Sequence, residues 1–156
     1  VGGNYAGSLK ASERAKAEGF ASVIFLEAKE KKYIDEAGPA NFFGIRDNTY
    51  ITPKSDSILP SITNMSLMQL AQDLGMKVER REVAVEELET FEEAGACGTA
   101  AIISPIGTIV DRQSGKTYSF GDAKQAGPWS TKLFKKLQGI QYGEEPDTHG
   151  WISILD

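Results

Sequence analysis

Apolar positions along the chain switch between two spacings, and each switch marks an element. Ser61 is followed by Leu67, Leu70, Ala71 and Leu74, an i, i+3, i+4, i+7 stripe. It predicts a helix capped by the serine hydroxyl and stopped at Gly75. Pro128 opens a second stripe of Trp129, Leu133, Leu137 and Ile140, in the first turn where a helix accepts proline. A further helix is predicted from an Asn4 cap to about Glu18, with Tyr5 and Leu9 one turn apart and Gly19 as its stop. Val85 to Glu93 predicts a short helix with a solvated acidic face.

Shorter runs predict strands. Ala21 to Ala28 has a continuous apolar centre, as a strand covered on both faces would. Tyr33 to Glu36, Asn41 to Ile45 and Tyr50 to Thr52 predict a meander that turns at Asp47-Asn48, two residues tolerant of positive φ. Lys77 to Val83 alternates like a half-exposed strand. Ala100 to Val110 and Lys116 to Phe120 are predicted to pair across Ser114-Gly115. Helices and strands mix without strict βαβ alternation. The prediction is one α/β domain of α+β character over residues 1–156, a mixed, largely antiparallel sheet with packed helices.

Composition narrows the partners. A net charge of −5 with no Lys/Arg cluster gives no reason to expect nucleic acid. The longest apolar run, Val23-Ile24-Phe25-Leu26, is strand-sized and far too short to cross a membrane. Cys97 is the sole cysteine; it cannot form an internal disulfide and fits a buried core position in a reducing cytoplasm. With His149 as the sole histidine, neither a histidine-based catalytic triad nor a His/Cys metal site is expected. His149 itself reads as a solvated loop residue. Trp129, Phe134 and Trp151 read as packing. A chain that opens Val-Gly-Gly-Asn is expected to be a piece of something longer.

Three clusters could carry chemistry. Leu59-Pro60-Ser61-Ile62-Thr63 runs into a helix start, where unpaired N–H groups at Ile62 and Thr63 favour an anion such as phosphate. Cys97-Gly98-Thr99-Ala100-Ala101 is small enough for backbone amides to approach a ligand. In Tyr33-Ile34-Asp35-Glu36, strict alternation would turn Glu36 to the core side with Ile34, and a buried carboxylate needs a partner. From the residues alone each cluster also fits a structural role: a plain helix cap, close strand packing, a solvated edge.

Taken in order, the clusters resemble one family. Val1-Gly2-Gly3-Asn4-Tyr5, Tyr33 to Gly38 with Asn41-Phe42-Phe43, Ile58 to Thr63, Gly98-Thr99-Ala100-Ala101, Ile140-Gln141-Tyr142-Gly143 and Gly150-Trp151 together resemble branched-chain amino acid aminotransferases. These are fold type IV enzymes dependent on pyridoxal 5'-phosphate. The resemblance implies the large C-terminal domain. In the family a Schiff-base lysine precedes the Gly-Gly-Asn-Tyr motif with one residue between, here Val1, so the catalytic lysine and the small N-terminal domain are expected outside the chain. It further implies roles. Glu36 would meet the pyridine nitrogen, Tyr5 the phenolate oxygen, Leu59 the ring, and Ile62, Thr63 and Thr99 the phosphate. The amides of Thr99 and Ala100 would receive the substrate carboxylate, and a cavity would join Glu36 to the Thr63 and Thr99 turns.

Substrates would be Leu, Ile or Val with 2-oxoglutarate, in a cytoplasmic homodimer, and the chain alone would be inactive. A D-amino-acid aminotransferase, an aminodeoxychorismate lyase, and a non-catalytic anion- or partner-binding module stay open. The chain departs from the family pattern at Ser61 and Asn64, where glycine and arginine are common, which puts phosphate affinity in question. Ala101 and Ser104 fill the places of a redox CxxC, so no thiol switch is expected.

Overall fold

The computed structural model describes residues 2–122 and 125–154, with side chains from Ser8 onward. Its centre is β3 (Ala40–Arg46), which pairs antiparallel with β2 (Ile34–Ala37), β4 (Thr49–Pro53) and β6 (Glu93–Gly98). β1 (Ile24–Leu26) adds to β2 and β7 (Ile102–Ile106) to β6, both antiparallel. β5 (Lys77–Arg81) lies parallel to β4, the one parallel pair of this seven-stranded sheet. β8 (Thr108–Val110) and β9 (Thr117–Ser119) form a separate hairpin. The mixed, largely antiparallel sheet is as predicted.

Alternation along β3 builds two cores. Phe43 and Ile45 join Tyr50, Cys97 and Ile103 beneath α2 (Ile62–Asp73) and α3 (Pro128–Tyr142), which contribute Leu67, Leu70, Leu133, Leu137 and Ile140. Phe42 points the other way, into a core with Ile51, Val83, Leu88, Phe91, Ala94, Tyr118 and Phe120. Each fully buried Leu or Phe here contributes roughly 1.5–3 kcal/mol of apolar burial.

Local punctuation falls where the sequence places it. Asp47 and Asn48 both turn at positive φ (46° and 55°), and Gly19, Gly75 and Gly143 follow their helices in the left-handed region. α1 spans Gly2–Ala17, so the expected Asn4 cap is corrected: Asn4 stands inside the helix, and Leu9 on it is largely exposed.

Three further expectations are corrected. The strand predicted over Ala21 to Ala28 shrinks to Ile24–Leu26 and is half-exposed, because it sits at the sheet edge with only β2 beside it. Val85 to Glu93 splits: a 3-10 turn covers Val85–Thr90, and Glu93 begins β6. That strand was not predicted. Its small residues leave room for rings, since a Cβ on Gly95 would come within 2.5 Å of Phe43, and one on Gly44 within 2.6 Å of Phe91. The long strand from Ala100 becomes a turn followed by β7 and β8. His149 lies in a loop and stays partly exposed, as expected, and is held there: its Nε2 lies 2.6 Å from Asp73 Oδ2, and its ring stacks on Trp151 at 4.7 Å.

Candidate functional site

Glu36 owes its orientation to an irregularity. Phe25 pairs with Glu36 and Leu26 with Ile34, so Asp35 is the extra residue of a β-bulge. A one-residue slip flips every later side chain to the other face. Ile34 and Ala37 therefore share the core beneath the β8–β9 hairpin. Glu36, paired with Asn41, turns to the side of Phe43 and Tyr50. The expectation that Glu36 follows Ile34 is corrected on that ground. Asp35 is itself buried, with Oδ2 accepting from Ser57 Oγ at 3.1 Å.

The Glu36 carboxyl is pushed above the usual carboxylate range. Burial is the main cause and the Asp35 charge adds to it, while a hydrogen bond donated by the Leu59 N–H opposes both. No cationic group among the described residues offsets it. Leu59 is pinned on its other side too, since its carbonyl accepts from Asn41 Nδ2 at 3.3 Å. Its side chain is left 76 % exposed.

Two residues further on, Ser61 caps α2, its Oγ accepting from the Asn64 N–H at 3.2 Å. Ser61 has φ −95°, extended backbone that any residue adopts, so serine in place of glycine costs the turn nothing. Ile62 and Thr63 form the first helical positions, and their N–H groups have no acceptor within the helix. The Ile62 side chain is 75 % exposed.

Thr99, Ala100 and Ala101 form the exposed turn between β6 and β7, closed by the Gly98–Ile102 pair. Cys97 pairs with Asn41, so this turn stands at the same end of the sheet as Glu36. Ile102 leaves the turn at φ 57°, a strained conformation for a β-branched residue, held by burial of its side chain.

The structure thus bonds Glu36 to Leu59, three residues before the α2 start at Ile62 and Thr63, and places Thr99 and Ala100 at the same sheet end as Glu36. Val1 and the side chain of Tyr5 lie outside the described residues. Two clefts, of about 230 Å³ beside Glu93 and about 650 Å³ beside Asp35, do not reach Glu36, Thr63 or Thr99, so neither is the expected joining cavity.

Sequence reasoning gave no role to Asn41, although an asparagine on the Phe43 side of a core strand is a signal for a bonded amide. Asn64, which the sequence marks only as a departure from the family pattern, is buried and turned inward toward Tyr50. Cys97 is as expected: it is buried, and burial pushes its thiol up to about 12. Among the described residues no cluster could hold a metal ion, and no helix is long and apolar enough to cross a membrane.

Comparison with known proteins gives a consistent picture. The family description Amino-transferase class IV matches residues 1–109. A branched-chain-amino-acid aminotransferase of Haemophilus influenzae is 47 % identical over 97 % of this chain and 46 % of its own length. One of Helicobacter pylori is 48 % identical over 97 % of this chain and 44 % of its own length. The Escherichia coli branched-chain amino acid aminotransferase superposes with a TM-score of 0.83 at 31 % identity, covering 97 % of this chain and 49 % of that one. Another solved branched-chain amino acid aminotransferase, complexed with N-(5'-phosphopyridoxyl)-L-glutamate and described as from T.th., superposes with a TM-score of 0.83 at 29 % identity, over 98 % and 48 %. The chain spans about half the length of the relatives it matches.

Proposed function

Because the chain belongs to the class IV aminotransferase family, we propose that it is the cofactor-binding half of a pyridoxal-phosphate transaminase that moves the amino group of Leu, Ile or Val to 2-oxoglutarate. The observation that carries this reading is the corner itself. A carboxylate with a raised pKa and no cationic partner stands one hydrogen bond from Leu59, and Leu59 leads into a helix start with free N–H groups.

The residues fit the group. The cofactor supplies an electron-withdrawing ring that makes the substrate α-proton removable. Glu36 would accept the ring N–H and favour its protonated form, since an opposite charge beside a base raises its pKa. A positive neighbour also removes the electrostatic penalty that Glu36 otherwise bears. Leu59 offers its exposed side chain to one ring face. The N–H groups of Ile62 and Thr63 would bind the phosphate, with the Thr99 hydroxyl assigned to it as well. The amides of Thr99 and Ala100 would hold the substrate carboxylate, and the reading gives the phenolate oxygen to Tyr5. The relatives are about twice as long as this chain, and the reading assigns the lysine that would move the α-proton and a second wall of the site to such a further part. The reading extends to a cytoplasmic homodimer.

Ile62→Pro in the full-length protein tests the phosphate position. Proline is well accepted at the first helical position, and Ser61 is already extended before it. The helix persists and one N–H donor disappears. The expected result is a loss of pyridoxal-phosphate affinity of about fivefold by equilibrium dialysis, with unchanged helix content. Unchanged affinity would remove α2 from the site. A substrate panel scored by glutamate formation separates branched-chain donors from D-amino acids.

A further inference from the structure

Asn64 carries more structure than any other polar side chain near the corner. Tyr50 Oη donates to Asn64 Oδ1 at 2.8 Å, and Asn64 Nδ2 donates to Thr52 Oγ1 at 3.0 Å. Thr52 Oγ1 in turn donates to the Phe42 carbonyl at 2.8 Å. Tyr50, Thr52 and Asn64 are all buried, at 0, 1 and 5 % exposure. The relay therefore runs from the backbone of β3 through two side chains of β4 to the first turn of α2. The Tyr50 ring is itself clamped, stacked on Phe43 at 5.0 Å with Cys97 Sγ 3.9 Å from its hydroxyl.

Buried amides must find partners, and a relay with its donors and acceptors matched has one low-energy arrangement. Asn64 is the third residue of α2. Fixing its side chain to β4 sets the rotation and height of the helix start, and with it the direction of the Ile62 and Thr63 N–H groups. We infer that Asn64, with Tyr50 as its anchor, is the positioning residue of the phosphate corner: it binds no anion and acts by aiming the amides that do. The inference rests on the reading above. It also recasts the departure noted in the sequence, where arginine is common in relatives. This chain replaces a charge near the anion by preorganisation of the turn.

The test compares two ligands on the full-length protein: pyridoxal phosphate and pyridoxal, which differ only in the phosphate. Their affinity ratio reports the corner and is insensitive to a general loss of stability. Asn64→Leu deletes both side-chain bonds at similar volume, and Tyr50→Phe deletes one hydroxyl. The ratio is expected to fall by about tenfold in the first and about threefold in the second, with pyridoxal affinity changed by less than about twofold. A lowered thermal midpoint with an unchanged ratio would assign the relay to stability alone and overturn the inference, as would equal weakening of both ligands. If Asn64→Leu does not fold, Tyr50→Phe decides. The underlying reading fails separately: a ratio that Ile62→Pro leaves untouched means the phosphate is not at α2, and the positioning role falls with it.

Discussion

Glu36 sits where its charge is unwelcome in the chain alone. Its pKa is raised chiefly by burial, then by Asp35. A carboxyl raised in the folded state contributes stability below its unfolded pKa and loses it as pH rises through the folded value. At neutral pH ionised Glu36 therefore destabilises the fold, and the effect is screened because the group is only half-buried. Glu36→Gln is expected to raise the thermal midpoint at pH 7 slightly. The gain should vanish below the carboxylate range, where wild-type Glu36 is also neutral. The same substitution in the full-length enzyme is expected to lower transamination by at least about a hundredfold, because a neutral amide does not hold the ring nitrogen protonated. Thermal melts at two pH values and a glutamate assay check both halves; a variant that loses midpoint and keeps activity would make Glu36 structural. The residue type was legible in the sequence. Its face was not, since alternation counted from Ile34 ignores a bulge that appears only when β1 and β2 pair.

Elements show the same division between near and distant causes. α2 follows its sequence closely because its cap, its stripe and its stop lie within a few residues of one another. α3 starts as predicted at Pro128, yet its first turn is held from 36 residues away. Glu93 accepts from the N–H groups of Trp129 (2.9 Å) and Ser130 (2.8 Å) and from Ser130 Oγ (2.6 Å). This buried carboxylate caps a helix that has no side-chain cap of its own. Charge at a helix start adds to hydrogen bonding. Glu93→Ala is expected to cost about 2–3 kcal/mol in urea unfolding, the range for bonds to a buried charged group. A loss below about 0.5 kcal/mol would show the cap to be idle. Gly127→Ala should destabilise as well, because its Cβ would collide with Glu93 Cδ. No periodicity reveals such a bond. β6 was missed for a related reason: Ala94, Gly95 and Ala96 have little strand propensity, and they form a central strand beside β3, where the Phe43 ring fills the space a larger residue at Gly95 would need.

Across the whole molecule, the last described segment is tied back to the helical layer. His149 beside it holds the Asp73 carboxyl below its usual value, with Gln69 assisting. Asp147 accepts from the N–H groups of His149 and Ile152 at 3.1 and 2.7 Å, shaping the turn that presents the imidazole. His149→Ala is expected to speed proteolysis within residues 144–154 at neutral pH by about threefold or more, with the global unfolding midpoint nearly unchanged. Equal cleavage of variant and wild type would deny the clasp. At this scale the class of fold was legible: mixed elements, a meander and amphipathic helices leave few ways to cover one sheet. The two-core arrangement and the convergence of β2, β6 and α2 at one sheet end were not.

The amino-acid order by itself determined what depends on neighbours within a turn or two: the Ser61 cap, the helix stops, the Asp47-Asn48 and Ser114-Gly115 turns, the apolar stripes, and the residue types gathered near Glu36 and the α2 start. Tertiary structure alone decided which way those residues point. The Asp35 bulge turns Glu36, Tyr50 draws Asn64 inward, and α3 claims Glu93. Each outcome is set by hydrogen bonds and packing between segments far apart in the chain, whose partners exist only once the sheet has paired.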